Sequence, residues 1–242
     1  MSGSKSIKRN ARKVEKQKTQ AQRPAIPTVD VPALEPRNAN QEKYLLALNN
    51  YPQVFAMGAA GVGKTYLVTH WAVKNIAEGN LKKMIVTRPM VSSDPNERLG
   101  FLPGDINMKF TPWALPILDI VEDLIGKVKM EEWLRTGKIE FAPFEFMRGR
   151  TFKSDTIVIL DEAQNCTLNQ IRLFVTRLGN CKCVISGDPM QSDIRNSGLA
   201  VVLGIARRHQ VQAAFCEFDS SDIVRSRLCQ MWVEAFEKEE IS

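Results

Sequence analysis

The sequence predicts an α/β protein in which a mainly parallel sheet is flanked by helices. From residue 38 onward, short apolar or β-branched runs alternate with longer stretches of helical pattern, as in a doubly wound sheet. Ile157–Leu160 shows no polar alternation, which is typical of a strand covered on both faces. Gly58–Thr65 is a glycine-rich loop between a strand and a helix. A length of 242 residues fits one such domain with a tail, or at most two small domains.

The elements follow from these patterns in chain order. Strands are predicted at Val54–Met57, Met84–Thr87, Lys138–Phe141, Ile157–Leu160, Cys183–Ser186 and Ala213–Phe218. Helices are predicted at 40–50, 64–78, 109–125, 130–136, 167–178, 197–208 and 221–239. The sequence shows no internal repeat, so a single domain over 37–242 is predicted.

Residues 1–36 are polar, basic and interrupted by prolines. Residues 1–24 carry eight lysines and arginines against Glu15 alone, whereas the whole chain has a formal charge of +6, so the remainder is close to neutral. Such a segment buries too little apolar surface to offset its ordering entropy, and it is predicted to be disordered. It could be a solubilising tail, a tether for phosphate backbones or an oligomer arm. Net charge alone therefore does not argue for nucleic-acid binding by the folded body.

Cysteines, histidines and hydropathy exclude several classes of protein. The five cysteines lack paired C-x-x-C spacing and are predicted to be reduced and mostly buried. With two histidines, a histidine-based metal site is not expected. No apolar run approaches the roughly 20 residues that span a bilayer, and the basic amino terminus lacks the apolar stretch of a secretory signal. We expect a cytoplasmic protein without a membrane partner.

The glycine-rich loop has the form G-x-x-x-x-G-K-[ST], which is the phosphate-binding P-loop when it joins a strand to a helix. Glycines let backbone N–H groups surround phosphates, and the helix amino terminus adds partial positive charge. Lys64 is predicted to reach the β- and γ-phosphates, and the Thr65 hydroxyl to ligate Mg²⁺. The predicted nucleotide-binding residues are Gln41, Gly58, Ala59, Ala60, Gly61, Val62, Gly63, Lys64, Thr65 and Tyr66.

Two further polar clusters follow predicted strands. Asp161 and Glu162 end an apolar strand, at the edge where open α/β sheets bind ligands. Asp161 is predicted to hold Mg²⁺, and Glu162 to orient or deprotonate the attacking water. Gln191 lies in a turn that could face the γ-phosphate, although Gly187-Asp188-Pro189 is also ordinary turn chemistry.

Weaker signals leave alternatives open. Gln41, at the start of a helix, could read both edges of adenine. The stretch 144–152 mixes aromatic residues with Arg148 and Arg150; it could bind nucleic acid, or its phenylalanines could be core residues and its arginines could pair with acids. An arginine supplied across a subunit interface could stabilise the transition state. The candidates for that role are Arg195, Arg207, Arg208, Arg225 and Arg227.

Taken together, the motifs resemble the PhoH family of phosphate-starvation-inducible ATPases, in particular its short bacteriophage members. The matching segments are Asn40-Gln41 with Tyr44-Leu45, Gly63-Lys64-Thr65, Thr87-Arg88-Pro89, Gly100-Phe101-Leu102-Pro103-Gly104, Met147-Arg148-Gly149-Arg150-Thr151, Ile159–Asn165, Gly187-Asp188-Pro189-x-Gln191 and Asp222–Arg225. The resemblance covers about residues 38–235 and implies a RecA-like P-loop NTPase core.

This resemblance also implies the remaining roles. Gln41 would bind adenine, Gln191 would sense the γ-phosphate, and Arg225 would be the catalytic arginine supplied in trans. RNA or single-stranded nucleic acid would be the partner. Arg88, Arg148 and Arg150 are the candidate contacts for it in this sequence. The assembly would be a homo-oligomeric ring, a hexamer.

Three functions are compatible with these residues. The first is a Mg²⁺-dependent ATPase, related to the superfamily 1 helicase core, that acts on nucleic acid. Because the sequence contains one P-loop, a neighbouring subunit would have to complete the site of such a motor. The second is an ATP-switched module that binds nucleic acid or protein without translocation. The third, a small-molecule kinase, is disfavoured because Glu162 and Gln191 indicate water as the phosphoryl acceptor.

Overall fold

The six predicted strands are all present and form one parallel sheet. The computed structural model describes residues 29–89, 111–147 and 149–224, together with 228, 231, 232 and 235. The strands within these ranges are β1 (Gln53–Met57), β2 (Lys83–Arg88), β3 (Ile139–Pro143), β4 (Thr156–Leu160), β5 (Lys182–Gly187) and β6 (Ala213–Glu217). Their order across the sheet is β3-β2-β4-β5-β1-β6, and every pairing is parallel. The predicted α/β fold class is confirmed.

Helices connect the strands and cover both faces of the sheet. They are α1 (Ala39–Asn50), α2 (Lys64–Ala77), α3 (Thr111–Ile125), α4 (Lys127–Arg135), α5 (Leu168–Val175) and α6 (Leu199–Arg208). Short 3₁₀ turns lie at Phe144–Met147, Ala163–Asn165 and Ser220–Asp222. These turns were not among the predicted elements, because three or four residues are too few to show a helical period.

The sheet is buried because each of its faces has its own apolar cluster. One face packs against α1, α2, α3 and α4, and the other against α5 and α6. Every residue of β4 is buried, which explains the absence of polar alternation in its sequence. Each fully buried Ile or Val side chain contributes about 1.5–3 kcal/mol to stability.

The parallel arrangement brings the carboxyl ends of the strands to one edge. The loop after β1, the two acids after β4 and the turn after β5 therefore meet on the same side of the sheet. The register aligns Leu160 of β4 with Thr87 of β2, and Met57 of β1 with Gly187 of β5. Arg88, the last residue of β2, lies at this edge as well.

Side-chain hydrogen bonds fix the ends of two helices. Asn38 accepts from the backbone N–H of Gln41 at the start of α1. At the other end, Lys182 Nζ donates to the carbonyl oxygens of Leu48 and Tyr51 at 2.5 and 2.6 Å. A reciprocal capping box between Thr167 and Gln170 starts α5. Such caps satisfy helix-terminal groups that have no intrahelical partner.

The amino-terminal boundary differs from the one predicted at residue 36. Val29, Val31 and Leu34 pack against the apolar cluster that contains α1 and α2. His70 Nε2 also lies 2.9 Å from the carbonyl oxygen of Pro32. Apolar residues at these spacings can bury on the domain although the surrounding segment is polar and proline-rich. Residues 1–28 lie outside the described part of the chain.

The predicted helix at 221–239 falls largely outside the described residues. Residues 220–222 form a 3₁₀ turn instead of the first turn of that helix, and residues 228, 231, 232 and 235 are helical. The turn is held by a capping box in which Asp219 accepts from the Ser221 N–H, and Asp222 accepts from the Asp219 N–H. A short polar run with its own capping pattern explains this difference.

The cysteines follow the prediction of buried, unpaired thiols where they are described. Cys166, Cys181, Cys183 and Cys216 are all free and buried. Burial raises the pKa of Cys166 to about 12 and that of Cys181 to about 11, so both thiols stay protonated near neutral pH. No helix in the described ranges is long and apolar enough to cross a membrane.

Candidate active site

The loop between β1 and α2 has the backbone conformation of an anion-binding loop. Gly58, Gly61 and Gly63 all have positive φ angles. A Cβ atom on Gly58 would lie 2.4 Å from the carbonyl oxygen of Phe218, so only glycine fits there. The residue before α2, Gly63, provides no side-chain cap, which leaves the first N–H groups of this helix available to an anion.

Lys64 is folded onto the loop that precedes it. Its Nζ donates to the carbonyl oxygens of Gly58 and Ala59, the latter at 2.8 Å. Burial lowers the pKa of Lys64, while the carboxylates of Asp188, Asp161 and Glu162 act in the opposite direction. The charge of Lys64 is thus partly offset by three acids at this edge of the sheet.

Thr65 and Asp161 form a pair of oxygen ligands. Thr65 Oγ1 donates to Asp161 Oδ1 at 3.4 Å, and the N–H of Asp161 extends the β2–β4 ladder by donating to Thr87 at 2.9 Å. Burial raises the pKa of Asp161, and Glu162 raises it further, against the opposing charges of Arg88 and Lys64. A cation beside these oxygens would offset the cost of burying the carboxylate.

The donor set fits Mg²⁺ bound together with a phosphate ligand. No group of three His, Cys, Asp or Glu side chains forms a metal cluster in the described ranges. Mg²⁺ takes oxygen ligands, usually one or two from the protein, and completes its octahedron with water and substrate phosphates. Thr65 and Asp161 supply ligands of that kind.

Glu162 has an unusual backbone and two neighbouring polar groups. Its φ angle is 52°, in the left-handed region that non-glycine residues rarely adopt. Its Oε2 accepts a 2.6 Å hydrogen bond from Gln164 Nε2, and its Oε1 lies 4.0 Å from the guanidinium of Arg88. Strained backbone of this sort concentrates at functional sites.

Gln164 connects the acids after β4 with the turn after β5. Its Oε1 accepts from the N–H of Asp188 at 3.1 Å, and its carbonyl oxygen accepts from Ser192 Oγ at 3.1 Å. A Cβ atom on Gly187 would lie 2.7 Å from Gln164 Oε1. The sequence indicated no role for Gln164; the available signal was a polar residue two positions after Glu162.

The turn that carries Gln191 is anchored by neighbouring side chains. Asn165 Nδ2 donates to Asp193 Oδ2 at 2.7 Å, and the N–H of Asp193 donates back to Asn165 Oδ1 at 2.9 Å. Gln191 itself is exposed and lines the same cavity as the P-loop residues. The turn is therefore held at its base while the Gln191 side chain faces the cavity.

A cavity of about 500 Å³ at this edge brings most of the predicted site residues together. The predicted residues along its wall are Gln41, Ala60, Gly61, Gly63, Lys64, Thr65, Tyr66, Arg88, Asp161, Glu162 and Gln191. Glu35 and Arg37, which the sequence did not single out, also line it. Trp113 and Ile117 of α3 belong to an apolar part of the wall.

Gln41, the predicted adenine reader, already has backbone partners at both ends of its amide. Its Oε1 accepts from the N–H of Arg37 at 2.8 Å, and its Nε2 donates to the carbonyl oxygen of Val62 at 2.9 Å. Adenine would have to replace or share these bonds. In this structure Gln41 ties the segment before α1 to the P-loop.

Arg150, a predicted nucleic-acid contact, lies in an ion pair away from the site. It donates to both carboxylate oxygens of Glu140, at 2.5 and 3.0 Å, and Lys83 contacts the same carboxylate at 2.5 Å. Glu140 pairs with Ile85, three residues before Arg88 on β2. The alternative prediction, in which arginines of this stretch pair with acids, agrees with this geometry. Arg148 lies outside the described residues.

The candidate trans arginines are only partly described. Arg207 and Arg208 are the last two residues of α6, which precedes β6. Arg207 also pairs with Glu217. Arg195 is exposed on the loop after β5, and Arg225 and Arg227 lie outside the described residues.

Comparison with known proteins identifies related sequences over most of the chain. The family model described as "PhoH-like protein" matches residues 33–237. A PhoH-like protein of Bacillus subtilis is 41% identical over 207 residues, which are 84% of this chain and 64% of that protein. Protein PhoH of Escherichia coli is 41% identical over 206 residues, 83% of this chain and 57% of that protein. The chain thus spans less than two thirds of either relative.

A solved structure supports the fold. The large terminase of bacteriophage HK97 superposes with a TM-score of 0.52 over 88% of this chain and 51% of the terminase, at 14% sequence identity. At this identity the likeness concerns the fold alone. It agrees with a P-loop NTPase fold, which the loop after β1 and the acids after β4 also indicate.

Proposed function

The chain belongs to the PhoH-like protein family, and from that premise we propose that it binds ATP with Mg²⁺ and hydrolyses the nucleotide. One observation carries the proposal: Lys64, Thr65, Asp161 and Glu162, which follow two different strands, line a single cavity. A phosphate-binding loop alone would fit any nucleotide-binding protein. The nearby Glu162 adds a group able to activate water.

Each residue has a role that its position allows. The loop N–H groups and Lys64 bind the phosphates, and Lys64 exchanges the carbonyl oxygens of Gly58 and Ala59 for phosphate oxygens. Thr65 and Asp161 hold Mg²⁺, which would neutralise charge developing on the phosphate oxygens. Glu162 orients and deprotonates the attacking water, and Gln191 contacts the γ-phosphate from the turn after β5.

Release of phosphate from ATP tests this proposal directly. Glu162→Gln should still bind a fluorescent ATP analogue but lose turnover by at least about 100-fold, the scale of a general base. Lys64→Ala should lose binding, turnover or both. Glu131→Gln, an exposed acid on α4, is the matched control and should behave as wild type. Persistent turnover in Glu162→Gln would remove Glu162 from the base role.

RNA or single-stranded nucleic acid is the partner that we propose. Arg88 is half-exposed at the rim of the cavity, where a guanidinium can take a backbone phosphate. Turnover measured with and without oligo(U) and oligo(dT), over a range of salt concentrations, tests for this partner. Turnover that neither oligonucleotide changes would count against it.

A homo-oligomeric ring, a hexamer, is the proposed assembly, with Arg225 completing the site of the neighbouring subunit. The support is the single P-loop in the sequence, because a motor that moves along a strand needs a second wall for its site. Mass measurement with Mg²⁺ and a non-hydrolysable ATP analogue tests the assembly. A monomer that unwinds duplexes would contradict it.

A slow, ATP-switched binding module is the second candidate. It is favoured by the two polar groups beside the Glu162 carboxylate, which restrain the proposed base. Such a module would release or capture an oligonucleotide on ATP binding alone. The Glu162→Gln variant would therefore still change its oligonucleotide affinity when ATP binds. A motor would need turnover for its movement, so the same variant would stop it.

A further inference from the structure

The two oxygens of the Glu162 carboxylate have different kinds of partner. Oε2 accepts a 2.6 Å hydrogen bond from Gln164 Nε2, whose other end is bonded to the N–H of Asp188. Oε1 faces the guanidinium of Arg88 at 4.0 Å, an ion pair in which both side chains are more than a third exposed. The first contact is short and part of a buried network, whereas the second is long and open to exchange.

The strand order places Arg88 on the far side of Glu162 from the P-loop. β4 and β5 lie between β2 and β1, so three strand spacings of about 4.8 Å, roughly 14 Å, separate β2 from the strand that leads into the loop. Thr87 aligns with Leu160, which makes Arg88 level with Asp161 at the edge of the sheet. Arg88 is therefore adjacent to the acids after β4, on a strand that lies three positions from the strand leading into the phosphate loop.

We propose that Arg88 restrains Glu162 in the resting site, and that a backbone phosphate of a single-stranded nucleic acid takes Arg88 over and so frees Glu162 for hydrolysis. The inference rests on the proposed ATP hydrolysis and adds how nucleic acid would regulate it. A phosphate can accept two parallel hydrogen bonds from a guanidinium, which outcompetes a carboxylate at 4.0 Å. Arg88 is thus a positioning residue that acts through Glu162.

Turnover with and without an oligonucleotide is the first test. Arg88→Ala should raise turnover on ATP alone by about two- to fivefold, the range that a half-exposed ion pair allows. Addition of oligo(U) or oligo(dT) should then stimulate the variant little or not at all. Arg88→Lys keeps the charge without the bidentate geometry, and should show reduced stimulation. Arg135→Ala, on the last turn of α4 at the opposite edge of the sheet, should match wild type.

Oligonucleotide affinity provides a readout that needs no hydrolysis. Arg88→Ala should weaken binding of a fluorescent oligonucleotide and reduce the slope of log affinity against log salt concentration by about one. Glu162→Gln removes the competing carboxylate charge, and should strengthen binding in the absence of ATP. A merely structural role for Arg88 would not produce opposite effects in these two variants.

The outcomes are separable. Lower or unchanged turnover of Arg88→Ala on ATP alone, with stimulation at the wild-type ratio, overturns the inference and assigns Arg88 to ATP itself or to structure. A wild-type protein that hydrolyses ATP without stimulation by either oligonucleotide also overturns it, although the proposed hydrolysis stands. If wild type hydrolyses no ATP, the proposed function fails. The oligonucleotide affinities of Arg88→Ala and Glu162→Gln then show whether Arg88 contacts a backbone phosphate.

Discussion

Gln164 and Glu162 are joined by a 2.6 Å hydrogen bond in which the side-chain amide of Gln164 donates to Glu162 Oε2. The other end of the same amide accepts from the N–H of Asp188. One buried side chain therefore connects the end of β4 with the turn after β5. Because that turn carries Gln191, the proposed base and the proposed γ-phosphate contact share a support.

Gln164→Glu separates the two ends of this connection. The new carboxylate can still accept from Asp188, but it loses the donor to Glu162 and places two acids side by side. We expect turnover to fall by about tenfold or more, about 1.4 kcal/mol of activation free energy. The KM for ATP should stay near wild type because the P-loop is untouched.

Steady-state turnover and binding of a fluorescent ATP analogue measure the two quantities separately. Gln170→Glu makes the same substitution in the capping box of α5, where glutamate is equally suitable at this position, and it should leave both unchanged. Equal losses in turnover and ATP affinity in Gln164→Glu would point to a disturbed fold instead of a misplaced Glu162.

Gly187→Ala is expected to displace the same support from the other side. The added Cβ would lie 2.7 Å from Gln164 Oε1 and 3.0 Å from Leu199 Cδ2. Overpacking of this kind costs roughly 1–3 kcal/mol, and each kcal/mol lowers the melting temperature by about 2–4 °C at this size. The melting temperature and the rate of ATP turnover should both decrease.

Gly137→Ala is the control for stability alone. A Cβ there meets nothing within 4 Å, yet the φ angle of +72° strains any alanine. This variant should lose stability and keep wild-type turnover at temperatures where it remains folded. If Gly187→Ala behaves in the same way, the close approach to Gln164 has no functional consequence.

Asp161→Asn should stabilise the nucleotide-free protein while removing its response to Mg²⁺ and ATP. Burial and Glu162 raise the pKa of Asp161, so at neutral pH the folded state carries the cost of an unfavourable charge. An asparagine removes that charge and can donate to Thr65 Oγ1. We expect a melting temperature a few degrees higher without ligand, and no further rise with MgATP. A lower melting temperature of the ligand-free variant would contradict this account.

The sheet could be predicted from the sequence because each strand has a local pattern of apolar or β-branched residues. Ile157–Leu160 is apolar throughout, and β4 is buried throughout. All six strands agree with the prediction to within two residues at either end. The amino-terminal boundary was less accurate because Val29, Val31 and Leu34 pack on a surface that the domain provides only after folding.

The site residues were predictable in position but not in their partners. Lys64, Asp161 and Glu162 come shortly after predicted strands, and the carboxyl ends of parallel strands share one edge of the sheet. These residues were therefore expected at the same edge. That Arg88 faces Glu162 depends on strand order, which the sequence does not specify. Likewise, Arg150 pairs with Glu140 through a loop whose path no local pattern encodes.

That ion pair gives a pH-dependent prediction. Burial raises the pKa of Glu140, but hydrogen bonds from Arg150 and Lys83 outweigh it, so its pKa in the folded protein is lowered. Because the pKa of Glu140 is lower in the folded than in the unfolded protein, its ion pairs stabilise the fold at pH values above the unfolded pKa of about 4.3. This stabilisation is lost as the pH falls through the folded pKa. Glu140→Gln should therefore reduce the free energy of unfolding at pH 7, by about 1 kcal/mol.

The difference between Glu140→Gln and wild type should shrink as the solution is acidified, because wild type then loses the same ion pairs. Urea unfolding at a series of pH values measures it. Glu131→Gln, an exposed acid on α4, should show no such pH-dependent difference. Turnover of Glu140→Gln should match wild type, since Glu140 pairs with Ile85 and lies back from the edge that carries the site. If wild type instead gained stability relative to Glu140→Gln as the pH falls, the charged Glu140 would be destabilising, and its burial would outweigh its two cations.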